Sequence, residues 1–325
     1  MSERRPSAKG VAVAAKRVAP YVTRTPLLPL DGKGGRVWVK AECVQQGGSF
    51  KLRGAFNRLL QLSDAERTRG VVAFSSGNHA QGVALAARRL GIAATIVMPA
   101  DAPAVKRDAT LAAGAEVIAY DRATESREAI GARLAAEKGC VLVPSFDDVD
   151  VIEGQGSAGV EIGEQLGHAP DKVLIPCGGG GLSAGIALAL PGAEIVTVEP
   201  AGWDDMARSL EAGEPVPLEE PAPPTRCDAL QTRLVSPLTL AALRESGARG
   251  LAVTEAEIER AMAFAARHLR LVVEPGGAVA LAALLAGKAG AVTERTVVVV
   301  SGGNVDPALY AEILARQAAE AARVG

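Results

Sequence analysis

Short runs of β-branched residues alternate with Ala/Leu-rich stretches of helical period along most of the chain, and this alternation constrains the fold more than any other feature. The runs are "RVWVKAE" (36–42), "VVAFS" (71–75), "ATIVMP" (94–99), "EVIAY" (116–120), "CVLVPS" (140–145), "KVLIPC" (172–177), "EIVTVEP" (194–200) and "TVVVVSGG" (296–303). Most are apolar at consecutive positions, so both strand faces need covering, which is the pattern of parallel sheets between helical layers. The segments between them, such as "HAQGVALAARRLG" and "PAVKRDATLAAGA", read as helices, the second with Pro103 placed for a first turn. The expected class is α/β: open, twisted, mostly parallel sheets with helices on both faces. At 325 residues the chain has room for two domains.

Composition removes several functions. With 48% apolar but only 3% aromatic residues, the core must be Ala, Val, Leu and Ile. A net charge of −2 supplies no broad field for nucleic acid or an anionic membrane. The four cysteines, Cys43, Cys140, Cys177 and Cys227, are far apart and form no CxxC or Cys/His cluster, so they read as reduced apolar residues. The N-terminus is charged and no run is long enough to span a bilayer. The expectation is a cytoplasmic protein acting on a small molecule.

Open parallel sheets bind ligands beyond the carboxyl ends of their strands, which directs attention to the loops there. Three are rich in Gly, Ser and Asn: "SSGNHAQG" (75–82), "CGGGGLSAG" (177–185) and "SGGNVDP" (301–307). The run Gly178, Gly179, Gly180 and Gly181, between a strand and a helix, exposes backbone N–H groups to an anion and predicts a phosphate site. A Pro-rich break, "EAGEPVPLEEPAPPTRCDA" (211–229), reads as a surface loop returning toward a site.

Two competing motifs are weaker. "GQGSAG" (154–159) matches a dinucleotide fingerprint but follows "DDVDVIE", a poor buried strand. "GLSAG" (181–185) matches a nucleophile elbow and keeps a serine hydrolase using Ser183 as a minor alternative. Only His79, His168 and His268 could serve as its base, and His268 lies in a helical pattern.

Lys51, in "GGSFKLRGAFN" (47–57), sits among small and apolar residues. A desolvated lysine loses its proton easily and can form a Schiff base with an aldehyde. An aldehyde that also carries a phosphate describes pyridoxal 5′-phosphate.

The motifs "GSFKLRGAFN", "FSSGNHAQGVA", "PADAPAVKRDATLAAGAEV", "FDDVDVIEGQGSAGVEI", "CGGGGLSAGIA", "VEPAGWDD", "LVVEPGGAVALAALL" and "VVSGGNVDP" together resemble the threonine/serine dehydratase and serine racemase family of fold type II pyridoxal phosphate enzymes. The likeness implies a large cofactor-binding domain from 1–60 and 148–325 and a small mobile domain over 61–147. It implies that Lys51 carries the cofactor, with Phe50 at the ring, Asn78 at the ring hydroxyl, the four glycines at the phosphate, Glu274 nearby and Ser301 at the pyridine nitrogen. Ser75, Ser76, Asn78, His79 and Asp228 would receive substrate, Ser76 also as acid/base on the opposite face. Glu199, the carbonyl of Trp203, and Asp205 would hold Mg²⁺, Mn²⁺ or Ca²⁺, since such cations favour oxygen ligands. A homodimer is also implied.

A serine at the pyridine nitrogen leaves a weaker electron sink than an aspartate would, which favours expulsion of a β-leaving group. The expected reaction is therefore deamination of a β-hydroxy amino acid, with L-threonine and L-serine foremost. Serine racemisation, a 3-hydroxyaspartate dehydratase and a β-replacement synthase are the alternatives. The chain departs from the family at Gly47, at Arg226 and at Ala229. Arg226 is open to two readings, recognition of a second carboxylate or projection into solvent. Only one helix is expected after "SGGNVDP", with no C-terminal regulatory domain.

Overall fold

A computed structural model describes residues 4–32, 35–75, 77–102, 104–121, 123–219 and 221–324, and Pro103 lies outside them. The described residues form ten strands: β1 (Leu27–Gly32), β2 (Gly35–Ala41), β3 (Val71–Phe74), β4 (Ala94–Pro99), β5 (Glu116–Tyr120), β6 (Val141–Leu142), β7 (Lys172–Pro176), β8 (Glu194–Pro200), β9 (Arg249–Val253) and β10 (Thr296–Val300). Six build one sheet in the order β1-β2-β10-β7-β8-β9, and four build a second in the order β5-β4-β3-β6. Every pairing is parallel except the β1/β2 hairpin.

Side chains of the central strands are buried on both faces, as a doubly covered sheet requires. Val298 and Val300 pack with Val39, Val196 and the helices Glu255–Phe264 and Pro275–Leu285. Val297 and Val299 face the other way, onto Ile162, Leu182 and Ile186 of the helices Ser157–Leu166 and Gly181–Ala189. In the second sheet Val71, Ala73 and Ile96 pack against helix Asn78–Leu90 and against Leu52, Ala55 and Phe56 of helix Lys51–Leu59. That helix therefore shares a core with the second sheet while its N-terminus opens on the cleft.

Three readings need adjusting. β1 and β9 are unforeseen edge strands, mostly half-buried or exposed apart from Val253 and interrupted by Pro29 and Gly250, so neither shows a continuous apolar run. The run 140–145 pairs only at Val141 and Leu142. Beyond them the carbonyls of Val143 and Ser145 turn to side chains of the cleft, accepting from His79 Nε2 at 2.8 Å and from Lys51 Nζ at 3.0 Å. "DDVDVIE" begins a helix, Val149–Gln155 capped by Asp148. "GQGSAG" spans its junction with the next helix, where a Cβ on Gly154 would lie 2.7 Å from the Gly54 Cα, so these glycines permit close helix packing. β10 ends at Val300, and Gly302 bridges to Ser49. Among the described residues no helix is long and apolar enough to cross a membrane.

Candidate active site

The chain runs outward from β7 to β8 and β9, then returns to place β10 on the other side of β7. Strand order reverses between β7 and β10, and ligands bind at such a reversal, beyond the carboxyl ends. A cleft of about 680 Å³ opens there, with Lys51, Asn78, the glycines 178–181, Glu274 and Ser301 among its lining residues.

Lys51 heads helix Lys51–Leu59, donates to Ser145 O, and lies 5.2 Å from the Phe50 ring centroid. Burial lowers its pKa to about 8, because no carboxylate offsets the loss of solvent. His79 donates from Nε2 to Val143 O, and burial together with the Lys51 charge pushes it down to about 3. The imidazole is neutral, with Nδ1 buried and without a hydrogen-bond partner among the described residues.

Asn78 begins helix Asn78–Leu90, and both ends of its amide are engaged. Its Nδ2 donates to Glu274 Oε1, and its Oδ1 accepts from Asn304 Nδ2 at 2.8 Å. Burial raises Glu274 to about 7 in spite of nearby Lys106. Ser75 Oγ accepts from Gly77 N at 3.1 Å, and Asp228 lines the cleft while paired to Lys106. Ser76 lies outside the described residues.

The glycine run leads from β7 into helix Gly181–Ala189, with Gly180 at its N-cap in the left-handed region, φ +85°. A Cβ on Gly179 would meet the Phe146 ring at 2.4 Å, so a side chain there would collide with the cleft wall. Bare backbone at a helix N-terminus is the arrangement that receives a phosphate. The buried amine of Lys51, this run and Ser301 thus fit pyridoxal phosphate in one cavity.

The carboxylates at the carboxyl end of β8 form a separate cluster. Glu199 is buried and accepts from the N–H groups of Met206 at 2.9 Å and Ala207 at 2.8 Å. Both oxygens of buried Asp205 have no hydrogen-bond partner among the described residues. Burial raises Asp205 to about 7, and burial and Asp205 raise Glu199 well above the usual range. Trp203 is buried nearby and donates its indole N–H to Pro223 O. Two buried carboxylates, one with no donor, fit a hard cation.

Ser183 is fully buried and does not line the cleft, so the hydrolase alternative fails. Its candidate bases are elsewhere engaged: His79 on Val143, His168 beside Ala169, His268 against Phe264. Arg226 is a half-buried residue outside the cleft, 3.5 Å from Glu259 and 3.3 Å from Glu312, so it neither reads a substrate carboxylate nor projects into bulk solvent. Three residues escaped the sequence reading: Phe146, and the cations Arg127 and Arg233, all of which line the cleft. Arg127 stacks on Phe74 at 5.6 Å and pairs with Glu128 at 2.7 Å. Nothing in its surrounding sequence marks it, since it begins an ordinary amphipathic helix, Arg127–Lys138.

Residues 18–303 match the family model described as pyridoxal-phosphate dependent enzyme. The chain is 45% identical to an L-threo-3-hydroxyaspartate ammonia-lyase of a Pseudomonas species, over 94% of this chain and 97% of the relative. It is 42% identical to the L-threo-3-hydroxyaspartate ammonia-lyase of Saccharomyces cerevisiae, over 95% and 96%. Among solved structures, maize serine racemase superposes with a TM-score of 0.89 at 35% identity, covering 98% of this chain and 99% of that one. A threonine deaminase from T.th. superposes with a TM-score of 0.85 at 43% identity, covering 93% and 99%.

Proposed function

The chain belongs to the pyridoxal-phosphate dependent enzymes, and from that premise we propose that it is an ammonia-lyase that deaminates a 3-hydroxyaspartate. The likeness to two such lyases over nearly the whole chain carries the reading and moves threonine and serine to second place. The cleft supports it with Arg127 and Arg233 on its wall, cations of the kind a second carboxylate requires.

Pyridoxal phosphate, when bound, would supply the electron sink that eases loss of the substrate Cα proton. The glycines 178–181 would hold its phosphate, Asn78, with Glu274 behind it, would meet its ring hydroxyl, Ser301 its pyridine nitrogen, and Phe50 would flank the ring. Ser75, Ser76, His79 and Asp228 orient the substrate. The Lys51 amine, neutral for part of the population near pH 8, takes the Cα proton. The β-hydroxyl departs as water, and addition of water to the resulting enamine releases ammonia and a 2-oxo acid. Glu199, the Trp203 carbonyl and Asp205 would hold a divalent cation beside this machinery. Serine racemisation is a second reading, supported by the maize enzyme's likeness; in it Ser76 handles the proton on the opposite face.

The test is a parallel panel of L-threo-3-hydroxyaspartate, L-threonine and L-serine with the cofactor-loaded protein, read as 2-oxo acid released and as serine enantiomers. The expected kcat/KM is at least ~10-fold higher for hydroxyaspartate. Oxo acid from threonine or serine alone returns the assignment to those substrates, and D-serine as sole product makes the protein a racemase. Absence of any Schiff-base absorbance band after adding pyridoxal phosphate overturns the role of Lys51.

A further inference from the structure

Lys106 is a buried cation on helix Ala104–Ala112, in the part of the chain that carries the second sheet. Its stem lies under Gly77, where an added Cβ would be 3.5 Å from Nζ and 3.6 Å from Cδ. The ammonium pairs with Asp228 Oδ2 and stands 3.9 Å from Glu274 Oε2. Asp228 and Glu274 both belong to the stretch that carries β7 to β10. One lysine therefore stands against Gly77, Asp228 of the 228–230 turn and Glu274 at the start of helix Pro275–Leu285. We infer that Lys106 is a positioning residue that ties the two sides of the cleft together and, through Glu274, sets the Asn78 amide.

The groups facing Glu274 make the second half of this inference concrete. Asp228 repels its charge, Asn78 donates to it, and Lys106 is the cation that favours its ionised form. The thiols of Cys43 and Cys227 also stand close enough to feel it, and burial raises both, Cys43 to about 12, so they remain neutral. An ionised Glu274 can only accept, so Asn78 must present Nδ2 to it and leave Oδ1 to the Asn304 amide. A protonated Glu274 could donate, and the amide would lose its single orientation. Removing Lys106 takes from Asp228 and Glu274 the cation that both approach, leaving two neighbouring carboxylates to repel.

The experiment compares wild type, Lys106→Met and Lys106→Arg. Hydrogen exchange is read on the cofactor-free protein across 104–112 and 228–230, and the acid limb of kcat/KM against pH is read on the loaded enzyme with whichever amino acid wild type consumes. Lys106→Met is expected to speed exchange in both segments by ~10-fold, lower kcat by ~10-fold and move the acid limb to higher pH, whereas Lys106→Arg stays within ~3-fold of wild type. Unchanged exchange in Lys106→Met, an unmoved acid limb, or equal damage from Lys106→Arg overturns the inference. Should Lys106→Met fail to fold, Asp228→Asn breaks the same bridge from the opposite side and is held to the same exchange criterion. The exchange measurement needs no substrate, so its failure is separate from failure of the hydroxyaspartate reading.

Discussion

Lys51 shows how one side chain can be legible in sequence while its chemistry awaits the fold. Small, apolar neighbours made a desolvated lysine the natural reading, and the structure places its amine in the cleft with a single carbonyl partner. Its folded pKa, about 8, lies below the ordinary 10.5. Between those values the unfolded chain holds a proton that the folded chain has released, so stability rises with pH; below about 8 both states are protonated and the contribution is flat. Denaturation of the cofactor-free protein should therefore show wild type gaining on Lys51→Met from pH 8 to 10.5, by at most ~1.4 kcal/mol per pH unit. The same variant should keep its fold and lose turnover by at least ~10³-fold. A constant difference across that window would place the amine in water. Arg226 is the opposite case: its sequence neighbours left two readings open, and the partners that decided, Glu259 and Glu312, come from distant helices.

The turn from β8 into helix Asp205–Ala212 carries the element-scale question. Glu199 satisfies both oxygens with helix N–H groups, an ordinary use of a helix start. Asp205 does not, and an unpaired buried carboxylate is costly unless a cation joins it. Protein stripped with EDTA should gain melting temperature when Mg²⁺, Mn²⁺ or Ca²⁺ is added in excess, as expected of a ligand that binds the folded state alone. Asp205→Asn should abolish that gain. Equal responses in both proteins would mean the pair is structural. The edge strands β1 and β9 were invisible because an edge needs no continuous apolar run. β6 was overextended for a different reason: Val143 and Ser145 are apolar or small enough for a strand, but their carbonyls serve the cleft.

Across the whole molecule, a buried ionic cluster links elements that flank the site. Arg53, two residues beyond Lys51, pairs with Glu42 at 2.8 Å and with Glu161 at 2.7 Å, and Lys40 of β2 reaches Glu161 at 2.6 Å. Lys40, Glu42 and Arg53 have no exposure. The cluster clamps helix Lys51–Leu59 to β2 and to helix Ser157–Leu166, which sets where Lys51 enters the cleft. Arg53→Met should cost ~3–5 kcal/mol, because buried Glu42 and largely covered Glu161 lose a shared cation. Arg226→Met, at a more exposed pair, should cost no more than ~1 kcal/mol. Urea denaturation of the two variants checks the contrast, and equal losses would remove the clamp from this account.

The chain by itself determined its class and pointed to its cofactor: apolar strands separated by helices, a glycine run at a strand end, and a lysine in small surroundings are local patterns, set by period and residue type. It also singled out Asn78, Glu274 and Ser301, which line the cleft, although only through their fit to a family pattern. Tertiary structure alone decided which side chains of distant segments meet. It put Lys106 between Asp228 and Glu274, turned Arg226 away from the cleft, buried Ser183, and set Arg127 on the wall. Each of those outcomes depends on the order of strands in the two sheets and on packing between helices far apart in sequence, and neither leaves a mark in a window of a dozen residues.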